Sequence, residues 1–329
     1  MIPKIKNNPR WGFVSGRISV LEGRLQPREF FLNLIAQEHL EDLVPHMQDT
    51  FLRDHISPGT VWADFSDLCD RFFYEMTLSI KEECPSSIPA DLFLLGGDYL
   101  NLKSALTGSS EFPFHFGLLT QEKLLTVSHG DYADIPPALR ESEAGFAGEA
   151  GEIDPGVLDI ILDGSYLRNL LAMACELGSE LITLYIREKV LSHIVIILWR
   201  ALRQQQSLRH YQQYLLPLGD FNHVVIELSG MSNVDNWPPV VGGIVGDILF
   251  ESLELLSESE QIPGFELRVA NYLTRIVRDG KIQTAGPERV FAFLAGVQVE
   301  VQNLKLVMNG RLNRIDQTLL RQRLRECYV

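Results

Sequence analysis

Apolar residues recur at helical spacing over most of the chain. Between Gly286 and Gly310 they follow one another at steps of three and four residues, which forms a single stripe along a helix. The members of this stripe are Val290, Leu294, Val297, Val301, Leu304 and Met308. Pro287 suits the first position of that helix, and Gly310 suits its C-terminal cap. Residues 65–83 and 170–202 carry similar stripes. Strand-like alternation is nearly absent, so the sequence predicts an all-α protein.

Three stretches interrupt the helical pattern. Two of them, Gly108–Gly117 and Leu228–Gly243, are rich in turn-forming residues. The third runs from Glu141 to Asp163 and is acidic. Its carboxylates are Glu141, Glu143, Glu149, Glu152, Asp154, Asp159 and Asp163. We expect this acidic stretch to separate the first third of the chain from the second.

Three helical segments look like copies of one another when Asn101, His193 and Asn303 are superposed. Apolar residues then coincide nine and two positions before this anchor and one and five positions after it. Any amphipathic helix fits such offsets, so unrelated helices remain an alternative explanation. If the copies are real, their spacing predicts modules of roughly 100 residues. The expected boundaries are 1–117, 118–228 and 229–329.

Composition and charge narrow the class of protein. The chain has 329 residues, of which 46% are hydrophobic, so it can bury a large core. Its net charge of -14 repels phosphate backbones and favours basic partners, which argues against nucleic acid as the main ligand. The four cysteines show no zinc-ligand spacing and suit a reducing compartment. The longest apolar runs are shorter than the roughly 18 residues that a membrane span needs, so no span is expected.

One segment resembles part of a metal site. His39, Asp42, His46 and Asp49 would line one face of an unbroken helix. Pro45 interrupts that helix, and no second helix with histidine and carboxylate ligands completes a bundle site. The glycines of residues 242–247 match neither a dinucleotide-binding nor a P-loop motif. We therefore predict no catalytic, cofactor-binding or metal-binding residues, and keep a helical metal-dependent enzyme and a free helical scaffold as alternatives.

Two further stretches are candidate partner-binding surfaces. The segment from Asn236 to Phe250 combines Trp237 with two prolines and many small or apolar residues, which suits contact with hydrophobic helices. A rigid loop that leads into a core helix explains the same pattern. The C-terminal segment is basic within an acidic chain, and we select Arg321, Arg323 and Arg325 as contact candidates. Such a segment either contacts acidic residues of the first module, meets a partner or forms a solvated helix face.

Several motifs resemble the V-type and A-type ATPase (ATP synthase) family of C subunits, whose vacuolar members are called d subunits. The sequences "DYLNLKSAL" from Asp98 and "EVQNLKLVM" from Glu300 resemble a helix motif that the family carries in each of three modules. The N-terminal "RWGFVSGRISVLEGRL" resembles the family's opening helix, and "MQDTFLRD" resembles a further family segment. The middle copy has His193 where the family has asparagine. The resemblance extends over nearly the whole chain.

The resemblance implies a pseudo-threefold, all-helical funnel with a central cavity. It implies a non-catalytic subunit without cofactors that connects the central shaft of the soluble ATPase sector to the proteolipid ring in the membrane. The expected location is the cytoplasmic face of the membrane. We expect an acidic socket for the shaft, and its candidate residues are Glu149, Glu152, Asp154, Asp159 and Asp163.

Overall fold

The protein is all-α. Its structure, a computed structural model, describes residues 8–37, 39, 42–56, 60–106, 117–129 and 155–329, with only the backbone at 155–157. The helices are α1 Gly12–Leu21, α2 Arg28–Ala36, α3 Leu43–Met47, α4 Phe65–Lys81, α5 Ile88–Leu106, α6 Gln121–Ser128, α7 Pro155–Leu177, α8 Glu180–Arg203, α9 Leu208–Leu215, α10 Asn222–Ser229, α11 Pro238–Val241, α12 Gly243–Leu255, α13 Glu258–Arg278, α14 Pro287–Leu312 and α15 Gln317–Arg323. No extended strand occurs within these ranges, which confirms the predicted fold class.

The chain divides into two compact units. The first comprises Met1–Phe93 and Ala270–Val329, and the second comprises Leu94–Val269. These units reflect spatial contacts and do not test whether three related modules exist along the sequence. The boundaries 1–117, 118–228 and 229–329 therefore stay a prediction.

Helix α14 is the central helix of the first unit. It packs against α1, α2, α4 and α15. All six residues of the predicted apolar stripe are buried, which confirms the face that the sequence assigns to the core. Phe291 and Phe293 extend this core and contact Phe93 and Phe51, with ring centroids 4.9 and 6.4 Å apart. By length and composition α14 is also the one helix among the described residues that could cross a membrane, but 72% of its apolar window is buried inside the protein.

The ends of α14 confirm one predicted boundary and correct the other. The helix begins at Pro287, where the missing N–H costs nothing. It does not end at Gly310, because it continues to Leu312 and is capped by Asn313. Gly310 has a packing role instead, since a Cβ atom there would lie 2.4 Å from the side chain of Leu320 on α15. The glycine thus allows α15 to approach the helix closely.

In the second unit, α7 and α8 form a helical hairpin. Gly178 links them with a φ of 66°, a left-handed conformation that favours glycine, and the Ser179 side chain caps α8 by accepting from the Ile182 N–H at 3.4 Å. Helix α9 packs on α7 next to Gly164, where a Cβ atom would lie 2.5 Å from the carbonyl oxygen of Tyr214. Trp199 of α8 is fully buried and contacts the Phe265 ring of α13 edge-on.

Candidate partner-binding surfaces and the residues that support them

The first suspected copy holds a neighbouring chain segment through a carboxylate. Asp98 on α5 is fully buried, and its two oxygens accept hydrogen bonds from the backbone N–H groups of Leu118 and Leu119, both at 2.8 Å. Gly117 has to be a glycine here, because a Cβ atom would lie 1.9 Å from an Asp98 oxygen. Asn101, one turn further along α5, is 1% exposed. This end of α5 therefore fixes the segment that enters α6.

The third suspected copy, like the first, has an acidic residue followed three positions later by an asparagine. The Glu300 carboxyl group on α14 accepts from the Gln26 N–H at 2.7 Å. Asn303 is completely buried, accepts from the Arg325 N–H at 3.0 Å and donates to the Arg325 carbonyl at 3.2 Å. One turn of α14 therefore holds a segment near each end of the chain. Asn303 holds the C-terminal segment through its side-chain amide, and its role as an anchor shared by three copies stays a prediction.

The middle copy carries different residue types at these positions. His193 lies on α8 near Tyr166, with ring centroids 6.3 Å apart, and Val190 stands where the other copies carry a carboxylate. Burial, together with the nearby Lys189 and Arg200 charges, lowers the pKa of His193 to about 3, so the ring is neutral at pH 7. One further aligned position differs: Leu184 is 45% exposed, whereas Leu92 and Leu294 are buried.

Two of the five acidic socket candidates lie on α7. Asp159 pairs with Lys103 at 2.6 Å, and both side chains are about half exposed. Desolvation by the surrounding protein and the charge of Asp159 raise the pKa of Asp163 to about 6, although part of its side chain remains open to solvent. The charges of Asp159 and Asp163 also reach Tyr211, whose pKa is raised mainly by desolvation. Glu149, Glu152 and Asp154, like Glu141 and Glu143, lie outside the described residues.

Trp237 corrects one of the predicted contacts. Its side chain is fully buried in the second unit, at the start of α11, so it offers no surface to a partner. Pro238 and Pro239 begin a short helix directly after Trp237, which agrees with the alternative explanation of a rigid loop leading into a core helix. Exposed apolar side chains do occur nearby, namely Ile244 and Phe250 on α12.

The basic residues of the C-terminal segment differ in their contacts and in their exposure to solvent. Lys305 pairs with Asp70 at 2.5 Å, and the Arg311 guanidinium donates to the Ile35 carbonyl. Part of the basic face thus contacts the first third of the chain, one of the predicted alternatives. Arg321 is exposed, while Arg323 and Arg325 are half-buried beside a groove between α14 and α15.

The structure contains a buried polar cluster that the sequence does not predict. The Arg289 guanidinium pairs with Glu22 at 2.5 Å, and the Tyr328 hydroxyl donates to the same carboxylate at 2.9 Å. Tyr328 packs against Gly296, where a Cβ atom would lie 2.7 Å from its ring. Since these residues come from distant parts of the sequence, no local pattern identifies them. The cluster and Asn303 together fix the C-terminal segment to α14.

The comparison with protein families identifies the chain. The family model for the ATP synthase (C/AC39) subunit matches residues 14–323. The chain belongs to this family. This match confirms the family resemblance seen in the sequence. The protein is a peripheral subunit of the rotary ATPase complex, and its partners are other subunits of that complex. A search of curated protein sequences returns no match.

The metal-site alternative gains no support from the structure of this subunit. His39 and Asp42 precede α3, Pro45 lies inside that five-residue helix, and Asp49 follows it. The four residues therefore do not share the face of an unbroken helix. Within the ranges that the structure describes, no three His, Cys, Asp or Glu side chains form a group that could hold a metal ion.

Glu300 gives a prediction about pH. Burial raises the pKa of its carboxyl from about 4.5 to about 8, an effect that the Gln26 N–H partly offsets. Between these two values the folded subunit binds a proton that the unfolded chain has lost, so this group lowers stability as pH rises. Glu300→Gln keeps a carbonyl acceptor for Gln26 and removes the titration. The unfolding free energy of the wild type should then fall relative to the variant, with a slope approaching roughly 1.4 kcal/mol per pH unit.

The measurement is urea unfolding of both proteins between pH 5 and pH 8, the window given by the raised pKa. Glu254→Gln, at an exposed position on α12, is the matched control and should run parallel to the wild type. Parallel curves for Glu300→Gln and the wild type would contradict a neutral, buried Glu300.

Proposed function

We propose that this subunit is a non-catalytic adapter of the central stalk, at the cytoplasmic face of the membrane. It couples the shaft of the soluble ATPase sector to the proteolipid ring during ion transport. The observation that carries the proposal is the family match over residues 14–323. The pseudo-threefold funnel with a central cavity, which the family resemblance implies, belongs to the same proposal.

The internal contacts of α14 support a role in carrying torque. An adapter has to be stiff, and closely packed helices deform little under load. Glu300 and Asn303 hold segments near the two ends of the chain, and Lys305 adds an ion pair to α4 through Asp70. Hydrogen bonds and ion pairs between fixed positions resist the sliding of one helix along another, which apolar packing alone permits. The first unit therefore behaves as one body around α14.

The charge of the subunit supports an acidic socket for a basic shaft. With 43 acidic and 29 basic side chains, it attracts cationic surfaces over distances near the Debye length. Asp159 and Asp163 belong to this socket, together with Glu149, Glu152 and Asp154. Lys103 forms an ion pair with Asp159 and neutralises part of the negative charge on α7, so the docking face contains both positive and negative side chains.

The test of adapter function is purification of the tagged subunit from its own membranes in mild detergent. We expect the nucleotide-binding subunits, the shaft and the proteolipid to be recovered together. In membrane vesicles that lack the subunit, ATP hydrolysis should no longer drive ion transport, and adding it back should restore the coupling. A subunit recovered alone, or vesicles that pump normally without it, would overturn the proposal.

The socket is tested separately by neutralising Glu149, Glu152, Asp154, Asp159 and Asp163 to the corresponding amides. Association with the purified shaft at low salt should slow about tenfold, and its salt dependence should weaken. The control neutralises an equal number of acidic residues in the second unit, all exposed: Glu227, Asp235, Asp247, Glu254 and Glu258. Equal rates for the two variants would disprove the socket and leave the adapter function intact.

A further inference from the structure

A groove runs between the last two helices of the first unit. Its lining includes apolar side chains, which we call the floor, namely Leu306, Ile315 and Leu319. It also includes basic side chains, which we call the edges, namely Lys305, Arg323 and Arg325. The volume of the groove is about 520 Å³. We call it the α14–α15 groove. Such a concave site with an apolar floor and polar edges is typical of surfaces that bind the side chains of a helix.

The walls of the groove are fixed by local structure. Leu320 packs closely on Gly310, which sets the distance between the two helices. Arg314 has a φ of 55° and turns the chain after α14, and the Asp316 side chain caps α15 by accepting from the Thr318 N–H at 2.8 Å. The groove is therefore formed before any ligand arrives, and binding costs little reorganisation.

Apolar side chains in the groove and next to it remain open to solvent. Leu312, Ile315 and Leu319 are 38–39% exposed, although they lie within eight residues of each other. Single exposed apolar residues are common on protein surfaces, but a cluster of them beside a concave site marks an interaction surface.

The charge around the groove indicates the chemistry of its occupant. Residues 311–325 contain five arginines and one aspartate, whereas the whole chain has a net charge of -14. Lys305 is paired with Asp70 and adds no net charge, so the positive charge of this surface comes from the arginines. A local basic surface attracts an acidic partner, while the net negative charge of the whole protein repels other copies of it.

We propose that the α14–α15 groove binds an amphipathic helix of a partner protein, with apolar side chains on one face and carboxylates beside them. The apolar face fills the floor, and the carboxylates meet the arginines at the edges. An anionic membrane surface fits less well because the net charge of -14 repels it. Nucleic acid fits less well because the overall charge repels it and the floor is apolar. This inference does not depend on the central-stalk function.

The test uses two fluorescent peptides of roughly 18 residues, long enough to form helix. One has leucines on one face and glutamates elsewhere, and the other has lysines in place of the glutamates. Fluorescence anisotropy with the full chain should show at least about tenfold tighter binding of the glutamate peptide, a preference that weakens with salt. Equal affinity for both peptides would overturn the proposal.

Variants locate the binding site. The double variant Ile315→Glu/Leu319→Glu places carboxylates on the floor at positions already exposed, so we expect it to fold and to bind the glutamate peptide at least about tenfold more weakly. The control is Leu255→Glu, at a position 68% exposed in the second unit, which should bind like the wild type. Circular dichroism and the melting temperature verify folding. Unchanged binding in a folded double variant would exclude the groove.

Two further measurements identify the source of the ligand. In the assembled complex, a photocrosslinking residue at position 319 should form an adduct with an acidic helical segment of another protein. The chain should not bind vesicles that contain phosphatidylglycerol more tightly than the double variant does. Groove-dependent vesicle binding without a protein adduct would replace the partner helix with an anionic membrane surface and overturn the proposal as stated.

Discussion

Replacing Arg289 with alanine is expected to lower the unfolding free energy of the subunit by about 3–5 kcal/mol. The Arg289 and Glu22 side chains are only 12% and 8% exposed, and Tyr328 donates to the same carboxylate. Removing the guanidinium leaves the Glu22 charge buried without its cation, which is far more costly than the loss of an exposed ion pair. Chemical denaturation followed by circular dichroism measures the change.

The matched control is Arg187→Ala in the second unit. Arg187 pairs with Asp220 at 2.8 Å, but these side chains are 41% and 77% exposed. Water screens this pair, so its loss should cost only about 0.2–1 kcal/mol. If the two variants were equally stable, the polar cluster around Glu22 would not hold the C-terminal segment in place.

The second large effect is expected for Asn303→Leu. Leucine has the same branching and number of side-chain heavy atoms as asparagine, but it cannot form the two hydrogen bonds to the Arg325 backbone. Each buried backbone group that loses its partner costs about 1–3 kcal/mol, so we expect a loss of roughly 2–4 kcal/mol. Hydrogen exchange should also accelerate in residues 324–328, because the segment is no longer tied to α14.

Asn309→Leu on the same helix is the control for this variant. Asn309 is exposed and bonds to Ser66 at the surface, so its replacement should change stability by less than about 0.5 kcal/mol. Faster exchange in residues 324–328 of both variants, or of neither, would contradict a specific role for Asn303.

These two variants, Arg289→Ala and Asn303→Leu, also bear on the proposed function. Both loosen the C-terminal segment from α14 without changing an exposed contact residue. If the subunit carries torque between shaft and ring, a folded variant with a loosened segment should hydrolyse ATP in the assembled complex with reduced ion transport per ATP. This outcome connects the internal polar contacts of the first unit to the mechanical role.

The sequence predicts the helices of this protein well because their signals are local. The stripe from Val290 to Met308 has helical spacing, and all its members are buried. Pro287 begins the helix as predicted, since proline at a first turn loses no hydrogen bond. The prediction that Gly310 caps the helix is wrong, because a C-cap glycine and a close-packing glycine look the same in a sequence. Only the position of Leu320 distinguishes them.

The surface candidates depended more strongly on the fold. For Trp237 the sequence allowed both an exposed contact and a rigid loop that leads into a core helix, and only the packing shows that the ring is buried. Asp159 and Asp163 are accessible to solvent on α7, but the sequence did not reveal that Lys103 forms an ion pair with Asp159. Whether a side chain faces solvent depends on what packs beside it, and composition does not contain that information.

By itself, the sequence determined the fold class, the core face of α14, the acidic character and the family. These properties follow from the helical period of the apolar residues, from the composition and from the order of the motifs. All three are properties of the linear sequence. Only the tertiary structure showed that Glu22, Arg289 and Tyr328 form one buried cluster, and that Glu300 and Asn303 hold segments near both ends of the chain. The physical reason is that such contacts join residues up to 306 positions apart. Their partners are selected by packing, which no local pattern encodes.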